Sequence, residues 1–115
     1  LDRISLGNNR LTGTIPESLY SLNNIEKLDL YNNMLTGSLP KNINYSENMS
    51  TIRLHDNELV GTIPESLGNF PYLEKLELNS NKFSGTVPDV ICENLSLLTS
   101  FETDCPYLVK CSCCT

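Results

Sequence analysis

Residues 11–19 read "LTGTIPESL" and residues 59–67 read "LVGTIPESL". Looser copies stand at 35–43, "LTGSLPKNI", and at 83–91, "FSGTVPDVI". The phrase therefore occurs four times at an interval of 24 residues. A fixed period of this size means stacked units, each too small to bury its own apolar face.

Upstream of each phrase runs a second pattern, L-x-x-L-x-L-x-x-N-x-L. The units begin at Leu1, Ile25, Met49 and Leu73. The first supplies Leu1, Ile4, Leu6, Asn9 and Leu11; the second Ile25, Leu28, Leu30, Asn33 and Leu35. The third supplies Met49, Ile52, Leu54, Asn57 and Leu59; the fourth Leu73, Leu76, Leu78, Asn81 and Phe83. An L-x-L pair has period two, which predicts a short strand with both leucines inward and the residue between them outward. Asn9, Asn33, Asn57 and Asn81 recur at the turn leaving each strand. An inward asparagine there can satisfy backbone groups of its own and adjacent coils, a structural role rather than a ligand-binding one. Gly13, Gly37, Gly61 and Gly85 permit a tight corner, and Pro16, Pro40, Pro64 and Pro88 end any ladder formed there. Leu19, Ile43, Leu67 and Ile91 then anchor a return segment with a short helical turn.

These spacings form the leucine-rich-repeat signature, and the longer pattern L-x-x-L-x-L-x-x-N-x-L-x-G-x-[ILV]-P-x-x-[IL] over residues 1–91 resembles the plant-type repeat. Receptor-like kinase ectodomains, receptor-like proteins and polygalacturonase-inhibiting proteins carry such repeats. The resemblance implies an α/β solenoid with one short parallel strand per coil, and an extracellular face that binds protein, peptide or glycan ligands. The tail, "CENLSLLTSFETDCPYLVKCSCCT" at 92–115, resembles the C-terminal cap of secreted or membrane-anchored leucine-rich-repeat proteins of diatoms and related algae. The expected organisation is four repeats over 1–91, then a degenerate fifth repeat and a cysteine-rich cap over 92–115. Two departures stand out. Ser46 occupies a place where Leu22 and Phe70 are apolar, which predicts a looser convex segment. Leu95, Leu98 and Phe101 fit the pattern only with one extra residue, and Leu98 and Phe101 would start the fifth strand.

The five cysteines are Cys92, Cys105, Cys111, Cys113 and Cys114. Their spacing lacks the paired C-x2-C of zinc sites, and the single histidine, His55, is far upstream. Disulfides in an oxidising compartment are expected, with the pairing open. The odd count, and an opening at Leu1 with no polar cap before it, lead to the expectation of a piece of a longer chain. Three N-x-[ST] sequons, at Asn44, Asn48 and Asn94, add glycosylation candidates and point the same way.

The formal charge is −6 and no basic cluster exists. That disfavours nucleic acid and anionic membrane surfaces, which need cationic faces. No apolar run is long enough to span a bilayer, so membrane attachment is expected only through a segment absent from this chain.

Outward strand positions of neighbouring coils stack in columns. One holds Ser5, Asp29, Arg53 and Glu77; the next Gly7, Tyr31, His55 and Asn79; a third Asn8, Asn32, Asp56 and Ser80; a fourth Arg3, Lys27, Thr51 and Lys75. Asp29, Arg53 and Glu77 alternate in sign, which reads either as a charge ladder or as a polar recognition strip. Tyr31 beside His55 is the leading contact candidate, since tyrosine offers area and a polar tip, and His55 brings sensitivity to pH near neutrality. Arg53, Tyr31 and His55, then Asp29, Asp56, Glu77, Asn79, Lys27 and Lys75, form the candidate ligand set. Asp29 and Glu77, two strands apart, invite comparison with a glycosidase carboxylate pair. Arg53 between them and the shallow face argue against it, and no catalytic triad or nucleotide-binding glycine motif can be assembled. A binding module without cofactor is expected: a receptor-like ectodomain, a secreted inhibitor of a cell-wall hydrolase, or a structural wall protein.

Overall fold

Leu28, Ile52 and Leu76 sit side by side on three adjacent parallel strands, at an interval of 24 residues. The computed structural model describes residues 2–22, 24–41, 46–94 and 99–103 and the backbone of 109–110, the side chains of Ser21 and Asn94 excepted. Its elements follow one another coil by coil. The first coil holds β1 (Arg3–Ser5), β2 (Thr12–Thr14) and a 3₁₀ turn, Glu17–Ser21. The second holds β3 (Lys27–Asp29) and β4 (Met34–Thr36); the third holds β5 (Thr51–Arg53), β6 (Val60–Gly61) and a 3₁₀ turn, Glu65–Asn69. The fourth holds β7 (Lys75–Glu77), β8 (Lys82–Phe83), β9 (Gly85–Thr86) and helix α1 (Asp89–Asn94), followed by β10 (Ser100–Glu102) and β11 (Val109–Lys110).

The main sheet runs β1-β3-β5-β7-β10, all parallel. Its inner side chains, Leu28, Ile52, Leu76 and Phe101, are buried with Leu30, Leu54 and Leu78. One interval differs: Phe101 pairs with Leu76, so this coil carries one extra residue. On the flank, β2 pairs with β4 and β6 with β8 at an interval of 22, placing Thr14 beside Thr36. The flank strands are thus staggered by two residues relative to the main sheet.

The asparagine ladder is present in the interior coils. Asn57 Nδ2 donates to Leu54 O of its own coil and Leu30 O of the preceding one. Its Oδ1 accepts from Leu35 N. Asn33 and Asn81 repeat the pattern. Each amide thereby joins two coils and leaves few buried backbone groups unmatched.

The first coil departs from the inward expectation. Leu6 is 45% and Leu11 38% exposed, and Asn9 is exposed, its side-chain amide donating to Leu6 O and Gly7 O of its own coil. The same residue types are buried where a described coil lies on each side; among the described residues the first coil has one such neighbour.

Corners follow from backbone demands. Gly61 has φ +87° and its three equivalents lie close to that value, a region that side chains rarely enter. Asn8, Asn32, Asp56 and Ser80 have φ between 54° and 58°. Among residues other than glycine, asparagine and aspartate suit this left-handed position best, so that column is set by the turn after each strand. Ser46 is buried rather than loose, and its Oγ donates to Ile25 O. The neighbouring stretch 42–45, with Ile43 and Asn44, lies outside the described residues. Tyr20 is wholly buried in the core cluster; its hydroxyl has no hydrogen-bond partner, and burial pushes the phenol well above the ordinary tyrosine range.

Candidate recognition face

The outer side of the main sheet carries the columns foreseen in the sequence. Tyr31 and His55, each two residues beyond its strand, stack with ring centroids 4.8 Å apart and planes within 3°. Offset aromatic pairs of this kind contribute about 0.5–1.5 kcal/mol beyond area burial. Gly7 completes the arrangement: a Cβ there would fall 2.6 Å from Tyr31 Cζ. The tyrosine ring occupies the space that any other residue at position 7 would fill. Gly7 stands in this column by spacing alone, and the need for a glycine appears only with the Tyr31 ring in place.

Alongside runs the charge ladder. Arg53 Nη1 lies 3.8 Å from Asp29 Oδ1, and Arg53 Nε lies 3.6 Å from Glu77 Oε2. The guanidinium therefore bridges two coils, as register demands: Asp29, Arg53 and Glu77 are aligned partners on β3, β5 and β7. Both contacts are ion pairs longer than a hydrogen bond, and such half-exposed pairs contribute roughly 0–1 kcal/mol. The two columns meet at Glu77, whose Oε2 is also 3.2 Å from His55 Nδ1. That contact lacks hydrogen-bond alignment, and Asp29 Oδ1, His55 Nδ1 and Asn79 Oδ1 are all buried atoms without a hydrogen bond.

Lys27 and Lys75 are half-buried and flank the buried Thr51 in aligned register. Asn79 follows Glu77 on the same face and is half-buried. Asp56 is exposed at the left-handed turn. Sequence reasoning missed Glu102, which pairs in register with Glu77 on β10 and is exposed. The extra residue before β10 hid it from a strict 24-residue alignment. Of the sequon asparagines, Asn48 is exposed and donates to Asn24 Oδ1; Asn94 ends α1, and Asn44 lies outside the described residues. Of the disulfide candidates, Cys92 lies on α1; Cys105, Cys111, Cys113 and Cys114 lie outside the described residues. Among the described residues, no group of three or more His, Cys, Asp and Glu side chains is placed to hold a metal ion. No helix there is long and apolar enough to cross a membrane.

Residues 1–22, 24–45, 48–70 and 72–94 each match the Leucine Rich Repeat family. The chain belongs to the leucine-rich-repeat family. Sequence comparison with curated proteins gives no match. Solved structures similar to this leucine-rich-repeat chain are plant-type receptor ectodomains. The ectodomain of the Arabidopsis receptor kinase HAESA, in complex with an N-terminally extended IDA peptide hormone, is 38% identical with TM-score 0.77, over 83% of this chain and 16% of that one. PEPR1 with AtPEP1 is 39% identical with TM-score 0.79, over 90% and 15%. A TDR receptor is 32% identical with TM-score 0.82, over 96% and 18%. The chain thus spans less than a fifth of each of these receptors. The kinship places it outside the cell or at the cell surface.

Proposed function

We propose that this leucine-rich-repeat chain recognises a protein or peptide ligand on the outer face of its main sheet, as part of a receptor-like ectodomain. The observation that carries the reading is the joined pair of columns: the Tyr31–His55 stack and the Asp29–Arg53–Glu77 ladder meet at one carboxylate oxygen. Together they form a preorganised polar and aromatic patch across three coils. Tyrosine and arginine, with tryptophan, are the side chains enriched at binding hot spots. Holding them in place before binding lowers the ordering cost of association. The ladder also stabilises the sheet slightly, so the two readings of the sequence are compatible.

The similar structures support the class of ligand. Two of them are complexes of receptors with IDA and AtPEP1. Another joins HAESA to IDA and to the co-receptor SERK1. The enzyme reading has a direct physical objection, because Arg53 lies between the two carboxylates that a glycosidase would need free.

The test is capture of cell-surface peptides and proteins by the wild type and by a Tyr31→Ala/Arg53→Ala double variant of unchanged thermal stability. A specific partner held by the wild type and lost from the double variant is expected. Equal capture by both removes the strand face as the binding site.

A further inference from the structure

We infer that Lys27, Thr51 and Lys75 form a carboxylate subsite within the recognition face, taking an aspartate or glutamate side chain of the ligand. The inference rests on reading this face as a binding surface, and it names what one part of that surface holds.

The three residues stand side by side in register on β3, β5 and β7. Ile52 lies in the core, so strand alternation turns Thr51 to the outer face. Thr51 is nevertheless only 5% exposed. The register leaves the stems of Lys27 and Lys75, with Arg53 two residues on, to cover it. Lysine stems lie along a surface in this way while the ammonium stays in water. The Thr51 hydroxyl makes no hydrogen bond among the described residues and is not sealed from solvent. The result is a shallow seat with a hydroxyl at its floor and an ammonium on each side.

The charges at this seat are not neutralised within the chain. Among the described residues neither lysine is ion-paired. The carboxylates of the next row, Asp29 and Glu77, are both engaged by Arg53. Glu26 and Glu74, one residue before each lysine, are exposed and screened by water and salt. Adjacent strands lie about 4.8 Å apart, and alternate residues of one strand about 6.7 Å apart. An anion above Thr51 therefore meets Lys27, Lys75 and Arg53 before either carboxylate of the ladder, since both stand on the diagonal.

A carboxylate accepts hydrogen bonds only, and the seat offers donors only from its two ammonium groups. Charge-assisted bonds from both sides would hold it in place. An acidic side chain carries its carboxylate on a stem of one or two methylenes, which reaches the floor between the lysine stems. The carboxylate of a chain end has no such stem.

The test is nuclear magnetic resonance titration of the free chain with the blocked peptide acetyl-Gly-Gly-Glu-Gly-Gly-amide. It is set against the glutamine counterpart and against acetyl-pentaglycine with a free carboxylate end. The glutamate peptide is expected to move the Thr51, Lys27 and Lys75 side-chain signals in a saturable way. The two comparison peptides should bind about tenfold more weakly. Lys27→Gln/Lys75→Gln, which keeps most of both stems, should lose the shifts, and Thr51→Val should weaken them. Lys41→Gln/Lys82→Gln, away from this face, should keep them. Equal binding of the glutamate and glutamine peptides overturns the inference, as does a preference for the free end or binding that survives in Lys27→Gln/Lys75→Gln. Uptake of the glutamate peptide by a chain that captures no cell-surface partner defeats the recognition reading alone. A partner captured equally by the wild type and by Lys27→Gln/Lys75→Gln defeats this inference alone.

Discussion

The side-chain amide of Asn57 donates to Leu30 O at 3.0 Å, although 27 residues separate them in the chain. Its carbonyl accepts from Leu35 N, also in the preceding coil. The side-chain amide of Asn9 donates instead to Leu6 O and Gly7 O of its own coil. Replacing Asn57 by alanine leaves buried backbone groups unmatched, and should cost about 2–4 kcal/mol, whereas Asn9→Ala should cost less than about 1 kcal/mol. Urea unfolding of the two variants checks the difference. Equal losses would mean that the ladder does not join the coils.

The same asymmetry applies to the leucines. Leu54 is fully buried and Leu6 is nearly half exposed. Leu54→Ala should destabilise by about 2–5 kcal/mol through lost burial and a residual cavity, and Leu6→Ala by under about 1 kcal/mol. Thermal unfolding of both variants reads this directly.

Tyr20 carries a hydroxyl that is buried and unpartnered. Removing it in Tyr20→Phe should raise stability by about 1 kcal/mol, because the hydroxyl loses its hydration without regaining a bond. The pH dependence follows from burial, which raises the folded-state value. An unfolded tyrosine ionises near pH 10, and the folded Tyr20 does so later. Between these points the unfolded chain binds fewer protons, so stability is full below about pH 10 and falls as pH rises. The fall attributable to one such group is about 1.4 kcal/mol per pH unit. Tyr20→Phe should lack that component when unfolding is followed from neutral into alkaline solution.

Gly7 sits beneath Tyr31. In Gly7→Ala the new methyl would lie where the ring now is, so the ring must move. Loss of the ring-current shift between Tyr31 and His55 is the expected signature, with little change in melting temperature because the first coil is exposed. An unchanged stack would show that the ring does not depend on the glycine.

The repeat period, the inward leucines of the interior coils, the asparagine ladder and the facing columns were all legible in the sequence. Each depends on spacing, and spacing is what a periodic sequence displays. The Tyr31–His55 stack and the Asp29–Arg53–Glu77 alternation were visible as neighbours for the same reason. Three features were not legible. The exposure of Leu6 and Asn9 depends on what lies next to a coil, which a repeat pattern does not encode. The pairing of Glu77 with Glu102 depends on one inserted residue. The convergence of Arg53 and His55 on one oxygen of Glu77 depends on rotamers.

The central claim is that the outer face of the main sheet is where a partner docks. Amide hydrogen exchange, compared between the free chain and the chain bound to its captured partner, tests it most directly. The account predicts slowed exchange confined to segments 27–31, 51–55 and 75–79, with the flank and the corner segments unchanged. Protection at Thr12–Thr14, Met34–Thr36 and Val60–Gly61 instead, with those three segments unaffected, would contradict it.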